Sequence, residues 1–425
     1  MVGDNIMHRR RRCSTLVLLT LAASLVASPA FAGVPPNLQP DVPTIEHYSA
    51  EYGVDLDRAR EILLNQSRAL FLEEPLRQAL GAAYAGYYYD NTTHQLVVPV
   101  ASSSAAITDK ARGVAKDADI TAVETRNVKY SWAKLQAGQD RIIKKLQDSQ
   151  RQKFARVGLN AEANASSVQI SSGASAENRK AISSYVQAEA GAAVERTVDN
   201  ATVTPASYCG NPGLPPAGSP YCDRPLRGGV RIDPTQCSAG FIAHNFVYNY
   251  VLSAGHCTNS GQGFSWTSRH QSNNTDYPIG PSQGSYVNFR GDAGTILLAG
   301  NFWSGIIAGY NVIWGYETDY PIRGVGGRGY DGLYACGSGS ATGLYCGTIP
   351  AGGSDLTLTY TTGETVGHLF WLQSACVHGG DSGSPVDVAN YGVGIEAAGD
   401  CAGAGAFYTP LQDALNNYGL SIYTG

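Results

Sequence analysis

Apolar positions change their spacing twice along this chain. Between Thr44 and Ala85 they recur at helical intervals, as in Ala59, Ile62 and Leu63 and again in Leu76, Leu80 and Ala83, which predicts two amphipathic helices. Tyr87-Tyr88-Tyr89, the turn at Asp90-Asn91 and the apolar run Gln95 to Val100 then read as a β-hairpin. A second helix-and-strand block extends from about Ile107 to Val157, with Val128 to Trp132 and a polar helix from Gln136 to Phe154. Together these predict an α/β unit over residues 33–203. Seven prolines between Pro205 and Pro234 interrupt the pattern, because such a segment cannot continue a helix. Beyond them the chain breaks into short β-prone runs separated by Gly, Asn and Ser: Gly240 to Ala243, Tyr248 to Ser253, Thr295 to Leu298, Leu356 to Tyr360 and Val393 to Ala397. That texture predicts an all-β sandwich or a pair of barrels, with a helix only at Pro410 to Asn417.

The N-terminus has the form of a signal peptide, residues 1–32: Arg9 to Arg12, an apolar run from Leu16 to Ala27, and the small-x-small site Ala30-Phe31-Ala32. Export is therefore expected, by the general or the twin-arginine route. No later segment offers about 20 continuous apolar residues, so no membrane anchor is expected. With Cys13 removed, eight cysteines remain, all between Cys209 and Cys401, an even number suited to an oxidising compartment. Proximity along the chain suggests Cys209–Cys222, Cys237–Cys257, Cys336–Cys346 and Cys376–Cys401. None forms a zinc-type CxxC, and neither metal nor other cofactor is expected. The formal charge of −5 hides an asymmetry: no lysine follows Lys180 and only seven arginines lie beyond residue 200. A β-rich half without a basic stripe argues against nucleic acid.

The candidate chemistry lies in that half. Ser382 stands in Gly380-Asp381-Ser382-Gly383-Ser384-Pro385, where the glycines permit a tight turn and the backbone N–H groups of Gly380 and Ser382 are suited to an oxyanion. A serine hydroxyl is a poor nucleophile unless an imidazole takes its proton and a buried carboxylate holds that imidazole in one tautomer. His256, in Val251-Leu252-Ser253-Ala254-Gly255-His256-Cys257, follows an apolar strand and adjoins a cysteine that can pin it. Among Asp276, Asp292, Asp319, Asp331 and Asp355, Asp292 is preferred because Gly291-Asp292-Ala293-Gly294 runs directly into the buried-looking strand Thr295 to Leu298. His378, in the loop after Cys376, reads as a rim residue.

These segments, in the order His, Asp, Ser, resemble the chymotrypsin-fold serine proteases; subtilisin-like and α/β-hydrolase enzymes use other orders. Cys376 to Ser382, Phe407 to Pro410 and the final helix resemble more narrowly the bacterial streptogrisin and α-lytic protease branch, and residues 85–100 and 128–135 resemble its pro-regions. The resemblance implies a mainly β catalytic domain over residues 226–425, two six-stranded antiparallel barrels with a C-terminal helix. An α/β pro-domain would precede it, with residues 204–225 as a Pro-rich extension of the mature enzyme. It implies His256 as general base, Asp292 as its orienter, Ser382 as nucleophile, Gly380 and Ser382 as oxyanion donors, and an internal arginine as the partner of Asp381. It places Ser374 and Ala375 at the base of the specificity pocket and Ala397, Ala398 and Gly399 along its wall. Two departures are visible: Ser384 stands where the family has a second glycine, and Ala397 replaces a serine beside the triad. With no acid at its base the pocket favours apolar or aromatic P1 side chains, whereas Glu396, if turned inward, favours basic ones.

The expectation is thus a secreted, monomeric serine endopeptidase that acts on protein and peptide substrates and is made with its own pro-region as folding aid and inhibitor. The alternatives are a protease-like binding protein without activity, and an esterase, for which the Gly-x-Ser-x-Gly elbow is missing.

Overall fold

A computed structural model describes residues 34–198, 226–233, 235, 237–259, 265–270, 275–299, 309–313 and 318–425. The signal segment and the Cys209–Cys222 pair lie outside these residues. No helix among the described residues is long and apolar enough to cross a membrane.

The first region is helical at its start for local reasons. Asp41 caps the helix Val42–Tyr52 by accepting from Thr44 N at 2.8 Å, and Gly53, at φ 65°, ends it in the left-handed conformation. Asp55 caps Leu56–Ala69 in the same way. That helix buries Ala59, Ile62, Leu63 and Gln66 on one face. A third helix, Glu73–Leu80, follows, where the sequence pattern predicted two. The hairpin Tyr88–Asp90 and Gln95–Val100 forms as expected and gains a parallel third strand, Val123–Asn127, after the helix Ala105–Asp117. The polar helix starts earlier than its pattern suggested, at Trp132, and ends at Asp148. Beyond it Ala155–Asn160, Ala165–Ser171 and Ala192–Val198 form a second three-stranded layer, with the helix Ala176–Gln187 between the last two.

The second region is mainly β. One sheet has six strands in the order Ser265–His270, Thr275–Asn288, Gly291–Leu297, Asn249–Ser253, Ile242–His244 and Ser421–Ile422. The end of the chain therefore completes the first half of this region. The other half orders Gly343–Thr348, Tyr334–Gly339, Pro385–Val388, Tyr391–Asp400, Gly405–Pro410, Thr365–Leu372 and Ser354–Thr359. Two closed six-stranded barrels were expected. Among the described residues neither pairing order closes on itself, and the second does not stop at six strands. The edge strand Ser354–Thr359 pairs antiparallel with Ala155–Asn160 of the first region, Ser354 opposite Leu159 and Thr357 opposite Val157, so one sheet of eleven strands runs through both. An exposed edge offers unpaired N–H and C=O groups, and a strand from the preceding region uses them. Gly158 is required at this seam, since a Cβ there would lie 2.7 Å from the Gly352 carbonyl oxygen.

A shared core reinforces the seam. Leu63, Leu70, Leu76 and Val98 of the first region are buried in one apolar cluster with Tyr330, Tyr334, Ile349, Val386 and Tyr408 of the second. Tyr48 meets Tyr334 edge-on with ring centroids 5.0 Å apart. Gln66, fully buried, accepts from Tyr334 N at 2.9 Å through its side chain and from the Tyr330 hydroxyl at 2.7 Å through its backbone carbonyl. Asn91 Nδ2 donates to the Gly332 carbonyl at 2.8 Å. Arg156 lays its guanidinium over the rings of Trp371 and Phe407. A separate apolar cluster, including Phe241, Leu252, Ile395, Leu411 and Leu415, joins the two halves of the β region to the helix Leu411–Tyr418.

Asp387, on the strand Pro385–Val388, accepts from the Tyr320 hydroxyl, and burial together with the nearby carboxylate of Asp41 pushes it up to about 8. A carboxyl that is protonated when folded and ionised when unfolded makes stability fall as pH rises from about 4 to 8. Asp387→Asn should therefore shallow the decline in unfolding free energy over that range, measured by urea titration of the full chain at several pH values.

Candidate active site

The histidine and the aspartate lie on neighbouring strands. Asn249–Ser253 runs antiparallel to Gly291–Leu297, with Ser253 opposite Gly294, and a single helical turn, Gly255–Thr258, carries His256 off the end of the first. Asp292 is within the second strand, not in a loop before it, and is fully buried. Its carboxylate accepts from His256 N at 2.9 Å through Oδ1 and bonds His256 Nδ1 at 2.7 Å through Oδ2. Backbone and ring of one histidine thus grip both oxygens and fix which nitrogen faces the aspartate. Gly255 is needed for this approach, since a Cβ there would lie 2.0 Å from the Tyr286 carbonyl oxygen.

A third donor was not foreseen. The Tyr360 hydroxyl donates to Asp292 Oδ2 at 2.9 Å. Tyr360 follows the strand Ser354–Thr359, and its neighbour Ala397 provides no hydroxyl of its own. Nothing in the local pattern Leu358-Thr359-Tyr360 marks it, because the contact joins residues 68 positions apart. Thr409 is the other partner missed: its hydroxyl accepts from Asp292 N at 2.8 Å and donates to Asp292 O at 3.1 Å.

The Ser382 loop is laced to the strand that precedes His256, with Ser238 as the go-between. Ser238 N donates to Ser382 O at 2.8 Å, its hydroxyl donates to Gly380 O at 2.6 Å, and its own carbonyl accepts from Ser253 Oγ at 2.9 Å. On the other side Gly383 N donates to Glu396 O at 2.8 Å and Glu396 N to Ser384 O at 2.9 Å. Gly380 and Gly383 adopt φ 115° and 90°, and a Cβ on Gly383 would lie 2.1 Å from Ser253 Oγ. Both glycines are obligatory where they stand. Ser382 is buried, and the His256 side chain is 15% exposed.

The remaining aspartates do other work. Asp381 is fully buried and receives the backbone N–H groups of Ala341 at 2.9 Å, Thr342 at 2.9 Å and His378 at 2.8 Å. The arginine partner implied by the resemblance is replaced by these amides. Desolvation still raises the Asp381 carboxyl above the ordinary carboxylate range. Asp319 pairs with Arg227, Asp355 bonds His368 at 2.6 Å, and Asp276 is exposed. Asp331 accepts from Ser354 Oγ at 2.6 Å and Gly352 N at 3.1 Å.

Of the residues expected to line the pocket, Ser374 is exposed, in a left-handed conformation at φ 68°. Ala375 is buried in the core shared with the first region. Ala397 and Ala398 pack with Trp371 and Phe407, across a bulge from Glu396, and Gly399 presses on Val377. Glu396 is the neighbour of the Ser382 loop. Ser384, in place of the glycine, bonds the Tyr345 hydroxyl at 2.8 Å. The rim histidine His378 is exposed and meets Thr342 Oγ1 at 2.9 Å. Among the described residues three disulfides are formed: Cys237–Cys257 beside His256, Cys336–Cys346, and Cys376–Cys401 beside the Ser382 loop.

A mainly β scaffold, a His-Asp pair and a Gly-Asp-Ser-Gly loop held against it, behind a distinct N-terminal region, define the class: the chain is a serine endopeptidase. Comparisons with known proteins narrow the likeness. Residues 57–115 match the family described as alpha-lytic protease pro N-terminal. Serine protease 1 of Streptomyces fradiae is 27% identical over 98% of this chain and 100% of its own length. Streptogrisin-C of Streptomyces griseus is 25% identical over 96% of this chain and 81% of its own. Among solved structures, Thermobifida fusca protease A is 27% identical, with 47% of this chain and 98% of that one covered and a TM-score of 0.39. The chain is similar to the streptogrisin and α-lytic protease branch of chymotrypsin-fold serine proteases, pro-region included.

Tyr360→Phe removes one donor from a buried carboxylate. It should lower the unfolding free energy near neutral pH by about 1.5 to 3 kcal/mol, read from chemical denaturation.

Proposed function

We propose that the protein is a secreted pro-enzyme whose mature form hydrolyses peptide bonds through an acyl-enzyme on Ser382. The observation that carries this reading is the 2.7 Å bond from His256 Nδ1 to a buried Asp292 carboxylate, with the strand that leads to His256 tied through Ser238 to the Ser382 loop. With Nδ1 committed to Asp292, the lone pair on Nε2 is left to take the Ser382 proton, and the imidazolium that forms is stabilised by Asp292. Ser382 Oγ attacks the scissile carbonyl, whose oxygen becomes negative in reach of the N–H groups of Gly380 and Ser382. His256 returns the proton to the departing amine, and water attacks the ester by the same route.

Residues 33 to about 203 are assigned as the pro-region, 204–225 as an extension of the mature enzyme and 226–425 as the protease domain. Support comes from the way the first region completes the second: it adds strands to an open edge and covers one side of its core. β pairing between distant segments forms slowly, and a preceding region that presents a ready strand lowers that barrier. Substrates are proteins and peptides, and the reading requires no cofactor. An apolar or aromatic P1 preference is the expectation from uncharged Ser374 and Ala375, and a basic one the expectation from an inward Glu396.

An organophosphonate should label Ser382 in the matured enzyme, detected by mass spectrometry, and Ser382→Ala should abolish the labelling. An unlabelled matured protein would instead favour a binding protein without activity. Asp292→Asn should lower kcat by about 10⁴-fold with the fold retained, because the amide favours the wrong imidazole tautomer. Residues 204–425 expressed alone should give little active enzyme, with activity regained when residues 33–203 are supplied separately, as read by active-site titration.

A further inference from the structure

Glu396 has no evident structural purpose. It is fully buried, and its carboxyl oxygens have no donor beyond the nearby Ser382 hydroxyl, whereas Asp292 and Asp381 beside it have three donors each. Its backbone is bound on both sides to the Ser382 loop, through Gly383 N and Ser384 O. It stands opposite Tyr408 in the next strand and at the head of the bulge that leads to Ala398. The titratable groups that face it are Asp381, Asp292, Tyr345 and Tyr360, none of them a cation, and the Ser382 hydroxyl is the one neighbour that favours its ionised form. A buried carboxyl so short of donors is costly to ionise and costly to leave unbonded. A substrate cation beside the nucleophile relieves both costs.

We propose that Glu396 is the specificity-determining residue of the pocket beside Ser382 and that the enzyme cleaves after lysine or arginine. This rests on Ser382 being the nucleophile. The acid comes from the pocket's side wall rather than its base, so a base without charge, as at Ser374 and Ala375, is compatible with a cationic P1 side chain. Burial, with the charges of Asp381 and Asp292, raises the Glu396 carboxyl well above the ordinary carboxylate range, so before substrate binds it is a neutral acid. A P1 ammonium or guanidinium draws the proton off and becomes the missing partner.

The test uses enzyme matured from the full chain and peptide anilides that differ only at P1, as Lys, Arg, Phe, Leu, Gln or Glu. Lys and Arg substrates should exceed Phe in kcat/KM by at least about tenfold, and Glu396→Gln should lower kcat/KM for Lys by about 100-fold relative to Phe, since it strands a buried cation. For the wild type, kcat/KM for Lys should go on rising with pH after the Phe profile has levelled, because only the Lys substrate needs Glu396 ionised. Benzamidine should compete with the Phe substrate, a result that does not depend on the variant folding. A preference for Phe or Leu overturns the proposal, as does one for Gln or Glu, which would mean that Glu396 acts as a neutral donor. So do superimposable pH profiles. Labelling of Ser382 by the organophosphonate in both proteins separates these outcomes from failure of the protease reading itself: a labelled enzyme that prefers Phe sinks only the role of Glu396.

Discussion

Three carboxyl groups, those of Asp292, Asp381 and Glu396, are fully buried within one small volume, and the residues that hold them shape everything near Ser382. Water cannot solvate these groups, so each must find donors or stay neutral. Asp292 takes the N–H and ring of His256 and the hydroxyl of Tyr360. Asp381 takes three backbone amides, which tie the turn at Ala341-Thr342 and the segment at His378 to the Ser382 loop. The demand for donors thus fixes the loop that bears the serine and the turn that bears the histidine. Glu396 has only the Ser382 hydroxyl nearby.

The same physics accounts for the substitutions that distinguish this chain from the pattern it resembles. Ala397 brings no hydroxyl to the His256–Asp292 pair, and Tyr360, just past the strand Ser354–Thr359, delivers one to Asp292. Asp381 has no arginine, yet three N–H dipoles in a dry site do comparable work without a second charge to bury. Gly339 leaves the room this requires, since a Cβ there would lie 2.1 Å from Asp381 Oδ1. The β region also leaves one edge, Ser354–Thr359, for the N-terminal region to pair with, and Tyr360, next along the chain, touches Asp292. The surface on which the first region docks and the donor to the aspartate are therefore contiguous in sequence, so ordering of that strand and ordering of the site are linked.

What the sequence determined by itself was set by short-range chemistry. The spacing of Ala59, Ile62 and Leu63 is a helix face in any fold, the Gly380-Asp381-Ser382-Gly383 turn needs glycines wherever it occurs, and His256 after an apolar strand beside Cys257 is legible from seven residues. Asp292 was legible because a carboxylate at the start of an apolar strand has nowhere to go but inward. Tertiary structure decided the rest, for the reason that donors to a buried carboxylate come from wherever the chain happens to return. Tyr360, Thr409 and the amides of Ala341 and Thr342 carry no local mark. Strand closure depends on twist and on which edge a distant segment covers, and among the described residues one half of the β region shares its sheet with the first region instead of closing on itself. Whether Glu396 faces water or the interior turned on strand alternation at one bulge, and only the folded structure shows it buried beside the Ser382 loop.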